Sequence, residues 1–439
     1  MIANRKLSQE FSPMPMTITE KIIARAAHRD RVAAGDIVVA QADKLYIKDL
    51  RFSKKEDAKG LYGVLLEVLE SMGKRNVWAG EKIVVNLDEQ PPRTDRRAEG
   101  QDRARDFARE QRAVLYGGEE GGIGHNVFVE HGHVTPGEFI VGGDSHTCTY
   151  GALGAFATGV GFTETVGLLA TGQIWLKVPS AIRFDTTGKP GPCVVGKDIV
   201  LWVAGKIGYD GAINRTLEYT GPGMKEVSIE SRLTMCNMAV EMIAVNAIVP
   251  ADERTAVYVR EVGGGDFTPL SSDSDAKYEQ IHAVDLSAIE PQVAAPEYPA
   301  NAHPVGEYKG VKVHQGFIGT CTNGRVEDLR MAADILRGRK VKSGVRLVIT
   351  PASFMAYRMA EKEGLLKVFQ DAGANVTSSE CGLCVRPSLS AGEVCVSSGN
   401  RNYRGRMGPK ESSVFLSNAA TVAASAVAGE IADPREFVQ

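Results

Sequence analysis

Hydrophobic positions along the chain fall into short apolar runs separated by longer amphipathic stretches, the alternation that α/β folding requires. EKIIARAAHRD (20–30) has helical spacing, EKIVVNL (81–87) and GEFIVGG (137–143) are apolar runs that end in polar residues, and GFTETVGLLATGQIWL (161–176) reads as helix. These predict an α/β domain over residues 17–178, preceded by a flexible leader at 1–16. A second α/β unit is expected over 179–285, through SAIRFDTT, DIVLWVAGKIG, TLEYTG and RLTMCNMAVEMIAVNA, with GPG at 221–223 as punctuation. Pro291, Pro296, Pro299 and Pro304 then crowd one short stretch, which predicts an extended linker over 286–308. From 309 to 439 the strands VKVHQGFIG, VRLVIT, ANVTSS and EVCVSS alternate with the helices RVEDLRMAADILRG and FMAYRMAEKEGLLKVFQDAG, a third α/β domain; no internal repeat stands out in the sequence, and a distant structural duplication of the first unit stays open. In open parallel sheets the ligand crevice lies beyond the strand C-termini.

Composition narrows the class. With 439 residues, 43% of them hydrophobic, the chain can bury more than one core. Lys plus Arg at 51 against Asp plus Glu at 54 gives a net charge of -3, so no basic field invites nucleic acid. No uninterrupted apolar run reaches membrane-spanning length and the leader has no apolar core, so a cytoplasmic protein is expected. Seven cysteines without small-domain spacing fit a reducing compartment better than a disulfide framework. Cys148, Cys193, Cys236 and Cys395 read as small hydrophobes.

Chemistry concentrates at the predicted strand ends. Cys321 lies in GFIGTCTNGRVEDLR, and Cys381 and Cys384 lie in SSECGLCV, each where a strand gives out into a loop. One sheet edge can therefore bring three thiols together. Three thiolates suit an iron–sulfur cluster with one iron left open for substrate, since electron-carrying clusters take four; on spacing alone, buried structural thiols fit as well. Zinc lacks a fourth ligand of the right spacing. DSHT puts Asp144, Ser145 and His146 at the end of GEFIVGG, where an Asp can orient a His for acid–base work or simply form a polar turn. Asn237 and Glu241, four apart, are expected on one helix face. Arg401 and Arg406, in NRNYRGR, offer the forked cations that a dicarboxylate accepts, or a basic surface turn.

GTCTN, CGLC and the run SSGNRNYRGRMGPKESSVFLSNAATVAASAVAGEI closely resemble the large subunits of isopropylmalate and homoaconitate dehydratases, within the aconitase superfamily. MTITEKIIARAA, VGGDSHTCTYGALGAFATGVGFTETVGLLATGQIWLKVP and SRLTMCNMAVEMIA follow the same resemblance in the same order, leaving out roughly the first sixteen residues and a divergent stretch around 44–120. The resemblance implies an aconitase-like fold, three doubly wound α/β domains around a 4Fe-4S cluster held by Cys321, Cys381 and Cys384, without the swivelling fourth domain. It implies a hydro-lyase for a malate-like 2-hydroxy acid (isopropylmalate, dimethylmalate, citramalate, homocitrate or maleate/malate), and a separate small subunit that brings the swivel domain and the serine base. It also places His125, Asp144, Ser145 and His146 in the active site, Asn237 and Glu241 on the cluster side with the Glu pairing a His, and Arg401 and Arg406 on substrate carboxylates.

The chain departs from the resemblance at several points. Lys48 precedes Asp49 where His or Gln is usual, and Glu89 follows Asp88 where the proton-donating His is usual; Lys48 and Asp49 are expected to face the substrate, unless Lys48 pairs with Glu89, and Asp88 and Glu89 are expected to face the chemistry. Glu89 serves as an acid only if burial or a like-charge neighbour such as Asp88 keeps it protonated. Gly124 and Asn126 flank His125 in place of Cys and Gln, and Gly324 stands where Ser is common. These departures also suit a degenerate paralogue that keeps its cluster for sensing, or a scaffold subunit.

Overall fold

The apolar runs become parallel strands because each is followed by a segment long enough to cross back over the sheet. The computed structural model describes residues 15–53, 59–88, 92 and 94–438. In the N-terminal sheet five parallel strands lie in the order Val114–Tyr116, Ile83–Asn86, Lys44–Lys48, Phe139–Gly142, Phe156–Gly159. Counted along the chain that order is 3-2-1-4-5, so the winding reverses between Lys44–Lys48 and Phe139–Gly142. The C-terminal sheet contains the strands Asn375–Val376, Arg346–Ile349, Gln315–Ile318, Val394–Ser397 and Ser413–Leu416, again parallel and again 3-2-1-4-5. Its reversal falls between Gln315–Ile318 and Val394–Ser397. Both reversals open crevices at strand C-termini, and the chemistry-bearing motifs leave the sheets there. Between the two, Asn246–Ile248, Arg215–Thr220, Ser180–Thr187 and Gln280–Asp285 make a four-stranded parallel sheet.

Four local expectations are corrected. The run 161–176 is not one helix: Phe162–Thr171 stops at Gly172, whose φ of +73° and contact with the Gln41 and Trp78 side chains leave no room for a Cβ, and Gln173–Lys177 pairs antiparallel with Ile37–Gln41. The stretch 286–308 is extended, as its prolines require, yet it is no free linker. Gln292–Ala294 and Ala302–Pro304 add two antiparallel strands to the C-terminal sheet, with Pro304 at the outermost strand, where its missing N–H costs least. The helix bearing Asn237 ends there, at Ile229–Asn237; Met238–Met242 tightens to 3₁₀ and closes at Ile243, φ +60°, so Asn237 and Glu241 do not share a regular helix face. Residues 354–373 split into Phe354–Lys362 and Leu365–Ala372 at Gly364, φ +73°. Of the expected leader, residues 1–14 lie outside the described residues, and the Met16 N–H donates to Asp273 Oδ2 at 2.8 Å.

Burial is extensive, with separate apolar clusters beneath the N-terminal sheet (Leu45, Ile47, Val85, Phe139), between it and the middle sheet (Tyr46, Phe128, Phe184), and within the C-terminal unit (Ile318, Leu329, Val396). Among the described residues no helix is long and apolar enough to cross a membrane. Behind the Cys321 loop, burial and the neighbouring Asp328 and Glu327 push the Glu230 carboxyl up to about 7. A carboxyl raised on folding contributes stability that is complete below its unfolded value and is lost as pH rises through 7. The melting temperature of the cluster-free chain should therefore decline between about pH 4.5 and 7 and level off above, and Glu230→Gln should flatten that slope; an equal slope in both proteins would contradict the assignment.

Candidate functional site

Cys321 follows the strand Gln315–Ile318 by three residues, and the turn before it is held under strain. Thr320 has φ +81°, a conformation that a β-branched residue adopts only when its surroundings impose it. Arg325 braces the residues that follow, donating to the carbonyls of Cys321 (2.8 Å) and Thr322 (2.7 Å). Beyond Asn375–Val376, Cys381 caps the 3₁₀ turn Gly382–Val385 and Cys384 lies within it. Gly382 has φ +56° and presses on Thr350 and Phe317, where a Cβ would come within 2.8 Å of Thr350 Oγ1. That explains the glycine of CGLC.

The three thiols are free and converge. Cys321 and Cys381 pack with Ile123 and Ala352, and Asn400 lies against both Cys321 Sγ (3.5 Å) and Cys384 Sγ (3.8 Å). Asn237 Nδ2 also donates to Cys321 Sγ at 3.3 Å, and an Arg406 Nη–H donates to Cys384 Sγ at 2.6 Å. Burial pushes the Cys381 and Cys384 thiols up, with Lys48 countering it at Cys381 and Arg406 at Cys384. Amide and guanidinium donors aimed at sulfur are what thiolates and cluster sulfides accept, so the donor set fits an iron–sulfur cluster. Among the described residues no three His, Cys, Asp or Glu side chains form a group that would hold a single metal ion; a cluster, which spreads its thiolates over several irons, needs no such group. Ser379 Oγ, two residues before Cys381, is buried without a partner.

Facing the thiols across the interface, the N-terminal sheet contributes a chain of ionisable groups. Lys48, at the end of Lys44–Lys48, has its ammonium 3.0 Å from Asp88 Oδ2 and 3.0 Å from Asp144 Oδ2. Asp144 caps the 3₁₀ turn Ser145–Leu153 by accepting the His146 N–H, and it accepts from His125 Nε2 at 2.7 Å. Because the Asp144 carboxylate only accepts, it keeps the proton of neutral His125 on Nε2, and Nδ1 accepts from the Tyr150 hydroxyl at 3.1 Å. Beyond it, His146 Nε2 meets Glu241 Oε1 at 3.0 Å, and Glu241 Oε1 also accepts from Arg401 Nε at 2.8 Å. Arg401 also donates to Ser145 Oγ at 3.2 Å.

The two histidines are driven apart in basicity. Burial lowers His125, with Lys48 and His146 adding to the fall against Asp144. Burial also acts to lower His146, but Cys321, Asp144 and Glu241 overcome it and raise the imidazole to about 9. Against burial, Lys48 and His125 hold the Asp144 carboxyl well below its ordinary range. Lys48 itself is raised well above the usual lysine value because Asp144, Asp88 and Cys381 outweigh its desolvation.

Of the residues expected from sequence, Lys48, Asp88, His125, Asp144, Ser145, His146, Glu241 and Arg401 form this contiguous network, and Cys321, Cys381 and Cys384 face it. Asn237 and Arg406 are spent on sulfur rather than standing clear for a substrate. Asp49 turns back into the fold, accepting from Gln101 Nε2 (3.1 Å) and from the Leu50 N–H (2.8 Å), and burial beside Asp88 raises its carboxyl to about 6. Glu89 lies outside the described residues. Asn400, Tyr150 and Tyr46 were not singled out in the sequence. Asn400 stood beside Arg401 in an evident motif and was the one within reach. Tyr46 explains the missing side chain at Gly124: its hydroxyl occupies that space, 1.9 Å from where a Cβ would be, and reaches toward Asp88 Oδ1 at 3.4 Å.

Comparison with known proteins bears on the whole chain. The model of the aconitase family (aconitate hydratase) matches residues 94–310 and 306–429. The chain is 44% identical to a 3-isopropylmalate dehydratase large subunit 1 of Methanopyrus kandleri over 429 residues, 97% of this chain and 100% of that one. It is 45% identical to the 3-isopropylmalate dehydratase large subunit of Desulfitobacterium hafniense, over 97% of this chain and 100% of that one. The corresponding protein of Aquifex aeolicus is 41% identical, over 97% and 98%.

Proposed function

This chain belongs to the aconitase family of hydro-lyases, and from that premise we propose that it is the large subunit of an iron–sulfur hydro-lyase for a malate-like 2-hydroxy dicarboxylic acid, working with a separate small subunit. The observation that carries the reading is the apposition of three free thiols at strand ends of one sheet, with Arg401 on the same edge, to Lys48, Asp144, His125 and His146 from the N-terminal sheet and Glu241 from the middle unit. Cys321, Cys381 and Cys384 would hold a 4Fe-4S cluster, whose open iron supplies a Lewis acid for a hydroxyl and its neighbouring carboxylate. On this reading the fold would be aconitase-like, with three α/β domains around the cluster and the swivel domain on the partner.

The chain's own residues bind and orient. Arg401, on the rim beside Ser145, presents a forked cation to a substrate carboxylate, while Glu241 holds it and His146 in register. Asp144 fixes the tautomer of His125, and Lys48 keeps Asp144 ionised. Asn237, Asn400 and Arg406 act on the sulfurs. Asp88 and Glu89 are assigned to the proton that accompanies the leaving hydroxyl, with Glu89 in the place of a histidine donor. The catalytic base is assigned to the small subunit, so the isolated chain should be nearly inactive. The relatives named above favour 3-isopropylmalate as substrate; the lysine at 48 and glutamate at 89 favour testing its neighbours, dimethylmalate, citramalate, homocitrate and maleate.

The test is anaerobic purification of the chain co-expressed with its small subunit, followed by those acids and malate, with the unsaturated acid, formed by dehydration or consumed by hydration, read by absorbance. Turnover of one of them supports the reading. A full cluster with no turnover on any would favour the alternative of an iron–sulfur sensor or scaffold subunit, to which Lys48 locked between two carboxylates also lends itself. Arg401→Lys keeps the charge and loses the fork, so kcat/KM should fall by roughly ten- to a thousand-fold, about 1.4–4 kcal/mol. Arg406→Lys should instead act first on cluster retention. Wild-type kinetics in Arg401→Lys would return that residue to the surface.

A further inference from the structure

We propose that Lys197 is a positioning residue, a lysine of the middle unit that fixes the 398–401 backbone and through it sets Asn400 and Arg401 in the site. Lys197 is the second residue of the helix Gly196–Ile207 and is fully buried. Its ammonium donates to the carbonyl of Ser398 at 2.9 Å and to that of Gly399. Those two carbonyls follow the strand Val394–Ser397, at the reversal of winding, where the ladder no longer supplies donors. Burying an amine this completely is costly, and burial draws it down to about 7 despite Asp328 and Asp198. Apolar side chains would fill the same space without that cost; what they lack is two N–H donors for the turn.

The turn matters because of what leaves it. Asn400 stands 3.0 Å from His146 Nε2 and 3.5 Å from Cys321 Sγ, and Arg401 Nε is bonded to Glu241. The other side of the turn is tied to the cysteine loop, with the Gly319 N–H donating to Ser398 Oγ at 3.0 Å. The lysine's own depth is fixed by its neighbour: Asp198 accepts from the Gln292 N–H and from Asn418 Nδ2, both at 2.8 Å, which pins the helix start to the C-terminal sheet. One helix thus sets the height of the loop that reaches thiols, histidine and glutamate together.

The inference bears on the proposed site but is read without cluster or substrate, so its failure and that of the functional reading are separable. The full-length cluster-free chain is compared with Lys197→Met and with Lys197→Gln, which retains amide donors on a shorter arm. In Lys197→Met, amide exchange in 398–406 should rise by about ten-fold or more and alkylation of Cys321 should quicken, while exchange in 139–142 and alkylation of Cys236 stay as in the wild type. Lys197→Gln should fall between. Given an active complex, Lys197→Met and Asn400→Ala should each lower kcat and together lower it little further, because both act through one contact. Unchanged exchange and labelling in Lys197→Met would overturn the proposal, as would loosening spread evenly over the whole chain, or failure of both variants to fold, since either makes Lys197 a general core residue.

Discussion

Replacing any one of Cys321, Cys381 and Cys384 by serine should abolish the brown chromophore of the anaerobically reconstituted chain, and turnover with it. Serine keeps the size and loses the soft thiolate that iron requires. The three differ in what else touches them. Cys321 receives the amides of Asn237 and Asn400, Cys384 the guanidinium of Arg406, and Cys381 has Lys48 as the cation that most lowers its thiol. Donors to the sulfurs tune a metal centre without forming it, so Asn400→Ala should retain the cluster but speed its loss to oxygen by about ten- to a hundred-fold. Cys193→Ser, half-buried and outside the sulfur contacts, is the control and should keep its full colour. Iron and acid-labile sulfide, counted per chain, give the measure. A full complement in all three serine variants would remove the cluster from this site.

Much of that site was legible because its residues sit in motifs at strand ends. GTCTN, CGLC, DSHT and NRNYRGR each follow an apolar run, and parallel sheets place such ends on one edge. The strand orders of the N-terminal and C-terminal sheets match, 3-2-1-4-5, although no repeat stands out in the sequence. What escaped were contacts that leave no local trace. Lys197 reads as an ordinary residue at a helix start, and only the fold brings it to carbonyls some two hundred positions away. Asp49 looked like a site residue because it follows Lys48, yet one step along a strand end reverses direction and turns it toward Gln101. The proline-rich stretch reads as a linker, yet its prolines flank or end its two strands rather than interrupt them. The pair Asn237 and Glu241 assumed an even helix, whereas the change to 3₁₀ sends one to sulfur and the other to histidine.

Lys48→Met should be the most damaging single change outside the thiols. The lysine, Asp88 and Asp144 have side chains only 16%, 9% and 21% exposed, and the ammonium is 3.0 Å from each carboxylate. Removing one member of a buried ion cluster leaves its partners uncompensated, at a cost of about 3–5 kcal/mol. The proton inventory should change as well. In the wild type Asp144 is held low by Lys48 and His125 against its burial, so its contribution to stability is present above the unfolded carboxyl value and is lost only as pH falls far below it. Without Lys48, burial prevails and the carboxyl rises, which reverses the sign: the variant should be most stable in acid and lose stability as pH climbs toward neutrality. A protonated Asp144 is also a poorer acceptor for His125 Nε2–H, so turnover with the small subunit present should fall by at least about a hundred-fold. Lys48→Gln, with a single amide to share between two carboxylates, should lie between on both counts. Melting temperature against pH and kcat/KM against pH, taken on the same three proteins, read the two effects together. A Lys48→Met variant whose melting curve and turnover track the wild type from pH 5 to 8 would show that the lysine neither compensates the carboxylates nor serves the site.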